Sequence, residues 1–248
     1  MKGIAYKYNR TFPGRPTLIF LHDSLGCIQL WRDFPEKLGN ELQMNVFVYD
    51  RLGYGKSMPF QKQERSLLYM EEEADFLAEI VSELNIENPI LFGHSDGASI
   101  ALIAAGKYPN LYKMILLEGA HIFVEDVTLK GINDATELYL TTDLKTKLEK
   151  YHGENTDPLF WAWSKTWNRP DFLHWNIESF LPNIKCPVFI MQGEHDEYGT
   201  MKQVEGIQNQ VAGPCELWYI PGAGHNPHKE VTDETLKQSK EFVEKYYL

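Results

Sequence analysis

Short apolar runs recur along the chain, and between them apolar residues return at every third or fourth position. Thr17-Leu18-Ile19-Phe20-Leu21, Val46-Phe47-Val48-Tyr49, Pro89-Ile90-Leu91-Phe92, Lys113-Met114-Ile115-Leu116-Leu117 and the run from Val188 to Met191 have strand length and no polar alternation. That is the pattern of strands buried on both faces. Trp31, Phe34, Leu38 and Leu42 keep helical spacing, as do Leu67, Met70, Ala74, Leu77, Val81 and Leu84. The same reading predicts helices over Ala98–Tyr108, Thr200–Val211 and Val231–Tyr247, with a strand over Glu216–Ile220. Ile4 to Asn9 alternates weakly and reads as an edge strand, closed off by Pro13 and Pro16. Buried strands alternating with amphipathic helices predict parallel βαβ units: an α/β fold with a mostly parallel sheet and helices on both faces.

Between Gly119 and Lys185 the rhythm changes. Helical patterning runs over Leu138–Tyr151 and Phe160–Trp167, aromatics crowd the segment, and no buried-strand run appears. An insertion of this kind between two parallel strands reads as a cap over the C-terminal edge of the sheet, where open α/β sheets bind ligands. The expected division is a core of residues 1–118 and 186–248 with a helical cap of residues 119–185.

The 248 residues suffice for one substantial core plus a small insertion. A net charge of −11, with no like-charge block beyond Glu71-Glu72-Glu73, argues against nucleic-acid partners and anionic membrane surfaces. Cys27, Cys186 and Cys215 lie far apart without metal-type spacing, which fits reduced thiols in a cytoplasmic protein. The first residues lack an apolar signal core, and no run reaches transmembrane length.

The candidate chemistry sits where strands end. Gly93-His94-Ser95-Asp96-Gly97 joins a predicted strand directly to a predicted helix, the context of a nucleophile elbow. A turn this tight strains its middle residue and requires small residues two positions either side. Ser95 would then present its hydroxyl at a helix N-terminus, where free N–H groups favour negative charge. A hydroxyl needs a base, and His225 in Gly222-Ala223-Gly224-His225-Asn226 suits that role. A carboxylate must orient the imidazole. Asp196 stands three residues after Gly193 and is favoured by that offset, while Glu194, Glu197 and Glu118 are the competing acids. No H-E-x-x-H spacing links the histidines, so neither metal nor cofactor is expected.

Taken together, the pattern resembles the α/β-hydrolase fold enzymes of the lipase and esterase type, over nearly the whole chain. The elbow, the order Ser95, Asp196, His225, and Asp50-Arg51-Leu52-Gly53-Tyr54-Gly55-Lys56-Ser57, similar to the family's D-x-x-G-x-G-x-S, carry the resemblance. His22-Asp23-Ser24-Leu25-Gly26 stands where many members have His-Gly-x, with Asp23 departing from the usual Gly. The resemblance implies an oxyanion hole made by the backbone N–H groups of Asp96 and Ser24. The family's first antiparallel strand has no counterpart, so about seven strands are expected. A serine in the elbow argues against the dehalogenases and epoxide hydrolases, which use Asp, and the dienelactone hydrolases, which use Cys.

These readings converge on a serine hydrolase acting on a small-molecule ester, lactone or thioester. A C–C bond hydrolase of the aromatic-degradation type and a non-catalytic ligand-binding relative are the alternatives. Trp163 and Trp167, one helical turn apart, and His121 are the expected substrate-binding residues. The aromatic cap points to an apolar or aromatic acyl group, and the chain is expected to be a monomer or homodimer.

Overall fold

The apolar runs become β1 (Tyr6–Asn9), β2 (Thr17–Leu21), β3 (Asn45–Tyr49), β4 (Pro89–His94), β5 (Met114–Glu118), β6 (Val188–Gly193) and β7 (Cys215–Ile220). The computed structural model describes residues 3–60 and 65–247, so residues 1, 2 and 248 of the expected core limits lie outside the described residues. Among the described residues the seven strands form one sheet in the order β1-β3-β2-β4-β5-β6-β7. Only the β1–β3 pairing is antiparallel; the remaining pairings are parallel.

Side chains leave a strand on alternate faces, and here both faces are buried. Leu18, Phe20, Val46, Val48, Ile90, Phe92, Met114 and Leu116 join one apolar cluster with α1 (Phe34–Leu42) and α9 (Thr232–Tyr247). Ile19, Leu21, Phe47, Tyr49, Leu91, Ile115 and Leu117 join another with α2 (Tyr69–Glu83), α3 (Asp96–Lys107) and α7 (Met201–Gln210). That explains runs without polar alternation: each strand serves two cores.

The insertion between β5 and β6 adds no strand to the sheet. It carries α4 (Asp126–Thr141), α5 (Leu144–His152) and α6 (Thr156–Trp167). The helix expected over Leu138–Tyr151 is divided between α4 and α5. Thr142 supplies the reason: its backbone is extended, and its hydroxyl donates to the Leu138 carbonyl (2.6 Å) while accepting from the Leu144 N–H (3.2 Å). A side chain that satisfies backbone groups in this way competes with the helix. Tyr139 of α4 stacks on Phe160 of α6 with ring centroids 3.7 Å apart, which locks the helices together.

Trp31 also leaves its expected helix. It ends a 3₁₀ turn, Ile28–Trp31, and Arg32 at φ 55° separates that turn from α1. A short helical turn, α8 (Pro227–Glu230), follows the His225 loop with proline at its first position. Among the described residues, no helix is long and apolar enough to cross a membrane.

Candidate active site

Parallel pairing brings the C-terminal ends of β2, β4, β5, β6 and β7 to one edge of the sheet. Ser95 occupies the turn between β4 and α3 at φ 55°, ψ −119°, a conformation few non-glycine residues adopt. The flanking glycines are there for space. A Cβ on Gly97 would lie 2.0 Å from the Leu21 carbonyl oxygen, and one on Gly93 would lie 2.4 Å from the Gly97 oxygen. The Ser95 N–H donates to the Glu118 carbonyl (2.9 Å), which ties the turn to the end of β5.

His225 and Asp196 come from the loops after β7 and β6. His225 Nδ1 donates to Asp196 Oδ1 at 2.9 Å, and both side chains are buried. Asp196 Oδ1 also accepts from the N–H groups of Tyr198 (2.9 Å) and Gly199 (3.3 Å), and Oδ2 accepts from Gln192 Nε2 (2.8 Å). Burial opposes ionisation of Asp196, but His225, then His121 and the Tyr198 N–H, outweigh it and hold the carboxyl below the ordinary carboxylate range. Burial likewise opposes an imidazolium at His225. The charge of Asp196, its hydrogen bond, and the more distant Glu197 and Asp23 outweigh that and raise the His225 pKa above its ordinary value. With Nδ1 committed to Asp196, Nε2 is the nitrogen left to exchange a proton. Gly119, at φ 55°, makes room for the pair: a Cβ there would stand 2.6 Å from His225 Cε1.

The competing acids are otherwise engaged. Glu194 Oε2 accepts from the Gly222 N–H (2.9 Å), Glu118 pairs with His228, and Glu197 borders the cavity described below.

The loop after β2 is held from beneath. The Asp23 carbonyl accepts from Arg51 Nη2 (2.9 Å) and His22 Nδ1 (2.8 Å), while His22 Nε2 accepts from the Arg51 N–H (3.1 Å). Both bonds require neutral His22, and burial followed by the Arg51 charge keeps its pKa well below the ordinary value. A trans peptide points its N–H opposite to its carbonyl, so the Ser24 N–H faces away from Arg51. Asp96 opens α3, and its N–H belongs to the first turn, which has no acceptor within the helix. His152 of α5 reaches the same loop: Nε2 donates to the Leu25 carbonyl (3.0 Å), and Nδ1 accepts from the Gly55 N–H (2.9 Å).

Ser95, His225, Ser24 and Asp96 border one cavity of about 130 Å³. Trp163, Trp167 and His121 border it too, so all the residues expected to bind substrate meet there. His121 is buried, its ring centroid 6.0 Å from that of His225 and 5.6 Å from that of Trp167. Burial and the nearby His225 push its pKa down to about 4. The acidic residues on the lining are Asp23, Glu197 and Asp96, the last with its buried carboxylate turned to Tyr69, Arg51 and Arg65; no Lys or Arg among the described residues borders the cavity.

Residues 16–161 match the family described as alpha/beta hydrolase fold. The chain belongs to that family. Serine hydrolase BPHL from Homo sapiens is 28% identical over 255 residues, covering 98% of this chain and 84% of that protein. Alpha/beta hydrolase domain-containing protein 17B from Homo sapiens is 26% identical over 97% of this chain and 70% of its own length. Among solved structures, MGS-M2, an alpha/beta hydrolase enzyme from a Medee basin deep-sea metagenome library, superposes with TM-score 0.79 at 20% identity, covering 99% of this chain and 95% of its own. A meta-cleavage product hydrolase from Pseudomonas fluorescens IP01 superposes with TM-score 0.77 at 17% identity, covering 98% and 94%. At such identities the structures share the fold and say nothing of substrate.

Within this α/β-hydrolase frame, several residues around the site carry no sequence signal of their own. Gln192, Arg51, Arg65 and Tyr69 matter only through tertiary contact. Tyr69 Oη donates to Asp96 Oδ2 (3.1 Å), and Arg51 and Arg65 each lie 3.7 Å from the same oxygen. Beneath His225, donor atoms of His94, Glu118 and His228 lie within 4.8 Å of one another. The 2.5 Å between His228 Nδ1 and Glu118 Oε2 is a hydrogen-bond length, closer than two ligands of one tetrahedral ion stand.

Proposed function

We propose that this chain is a serine hydrolase that cleaves a small-molecule ester, lactone or thioester through an acyl-enzyme. Ser95 Oγ attacks the carbonyl carbon while its proton passes to His225 Nε2. The resulting oxyanion accepts hydrogen bonds from the N–H groups of Ser24 and Asp96, placed where charge develops. Collapse of the tetrahedral intermediate expels the leaving group, which takes the proton from His225. Water then repeats the sequence on the acyl-enzyme and frees Ser95. Asp196 keeps the imidazole in the required tautomer and stabilises the imidazolium. The observation that carries this reading is the convergence of a strained Ser95, a His225 oriented by Asp196, and Ser24 and Asp96 on one cavity.

Residues 119–185 act as the cap, with Trp163, Trp167 and His121 as the wall met by substrate. The cavity, about 130 Å³, has room for about four waters, or for a group about the size of one aromatic ring. An apolar or aromatic acyl group fits that lining. The C–C bond hydrolase alternative fits less well, because the carboxylate of a ring-cleavage dienoate would meet Asp23 and Glu197 with no lining cation to receive it. A panel of p-nitrophenyl esters beside a ring-cleavage dienoate tests this. Turnover of acetate, butyrate and benzoate esters with none of the dienoate is expected; the reverse order would replace the reading with the alternative.

A further inference from the structure

Glu118 is fully buried at the end of β5, and the proposed acyl-transfer mechanism does not use its side chain. Its backbone carbonyl receives the Ser95 N–H (2.9 Å), and its side-chain Oε2 meets His228 Nδ1 at 2.5 Å. His228 belongs to α8, which starts two residues after His225. One residue therefore touches both the turn that carries Ser95 and the loop that carries His225. His94 adds a second tie, with Nε2 donating to the His225 carbonyl at 2.8 Å. Resting on the serine-hydrolase reading, we propose that Glu118 is a positioning residue: through its bond to His228 it holds the His225 loop in register with Ser95.

The arrangement is costly enough to need a reason. The other carboxyl oxygen, Oε1, is buried without a hydrogen-bond partner, and such an orphan is destabilising. Aromatic rings pack on His228, with the tilted rings of Trp31 and Phe34 centred 4.5 Å and 5.8 Å from the His228 ring. In that setting burial raises the Glu118 pKa and, with help from Lys229, lowers that of His228. Both shifts disfavour the ion pair, and the short contact between Glu118 Oε2 and His228 Nδ1 carries one hydrogen bond. A Gln side chain offers an N–H and a carbonyl oxygen in the same place, so it can bond His228 Nδ1 in either tautomer, whereas Ala offers neither.

The test counts active sites by fluorophosphonate titration and measures kcat per titrated site, KM and melting temperature on p-nitrophenyl butyrate. Glu118→Ala is expected to lower kcat per site by about tenfold or more with KM within about twofold, since a small misplacement of a catalytic group costs that much. Glu118→Gln is expected to recover most of the loss. Should Glu118→Ala fail to fold, the double variant Glu118→Leu/His228→Phe removes both polar partners together, leaves no orphan, and is expected to fold with the same fall in kcat per site. A lower melting temperature with kcat per site unchanged in either variant would overturn the proposal and leave Glu118 a packing residue. Equal losses in Glu118→Gln and Glu118→Ala, with the histidine limb of the pH profile gone, would overturn it by making Glu118 the acid that orients His225. Failure of the wild-type chain to be labelled at Ser95 would instead refute the serine-hydrolase reading on which it rests.

Discussion

Ser95 combines a reactive hydroxyl with a left-handed backbone conformation that costs about 1–3 kcal/mol in a non-glycine residue. Such strain persists where surrounding contacts impose it, and here the Glu118 carbonyl and the Gly97 approach to Leu21 do so. The hydroxyl, the imidazole and the carboxylate were all legible as residue types at strand ends. The choice of Asp196 over Glu118, Glu194 and Glu197 rests, in the sequence, on a single offset from Gly193; its 2.9 Å bond to His225 is a matter of tertiary placement. Asp196→Asn is therefore expected to cut kcat by about 10⁴-fold, as loss of the correct tautomer does elsewhere. Glu194→Gln and Glu197→Gln are expected to stay within about tenfold; comparable losses in all three would dismiss Asp196 as the orienting acid. The pH profile follows from the same pair. His225 acts as a base only when neutral, and its pKa lies above the ordinary 6.5 because Asp196 favours the charged form. kcat/KM should rise with pH along a single limb centred above 6.5, and that limb should shift to lower pH in Asp196→Asn. A limb unmoved by the substitution would mean that Asp196 does not act on His225.

At the scale of elements, the parallel strands were legible because each is apolar throughout, and the sheet buries them on both faces. The insertion was harder. Residues 126–137 carry Gly131 and scattered polar positions, so most of α4 escapes a periodicity search, and Thr142 ends it by a side-chain hydrogen bond. His152, which clasps the loop of Ser24 and Leu25 from α5, has no local pattern that marks it. The packing makes two predictions. Gly97→Ala would force a Cβ against the Leu21 carbonyl, two backbone segments with little room to move, and should destabilise by about 3 kcal/mol or more in urea unfolding. A loss below about 1 kcal/mol would show that the α3–β2 contact yields easily. Trp163 and Trp167 should separate. Trp167 packs edge-to-face on Phe172 (5.3 Å) and at a tilt on Trp175 (5.5 Å), so Trp167→Ala should chiefly lower stability, by about 3–5 kcal/mol. Trp163→Ala should enlarge the cavity and raise kcat/KM for benzoate esters relative to acetate. Equal losses on both esters, tracking melting temperature, would make Trp163 core rather than wall.

For the molecule as a whole, the net charge of −11 and the carboxylates of the cavity agree in sign. Both oppose anionic substrates and acidic docking partners. Every catalytic group in the proposed chemistry is a side chain or backbone N–H of this chain, with water as the second reactant, so exhaustive chelation should leave turnover unchanged; activity lost and then restored by zinc would contradict that. The most direct measurement is to react the folded chain with a fluorophosphonate and locate the adduct by peptide mass spectrometry. A single adduct per chain on Ser95 is expected, absent in Ser95→Ala and strongly slowed in His225→Ala. An adduct on another residue, or full esterase activity in Ser95→Ala, would contradict the assignment of Ser95 as the nucleophile.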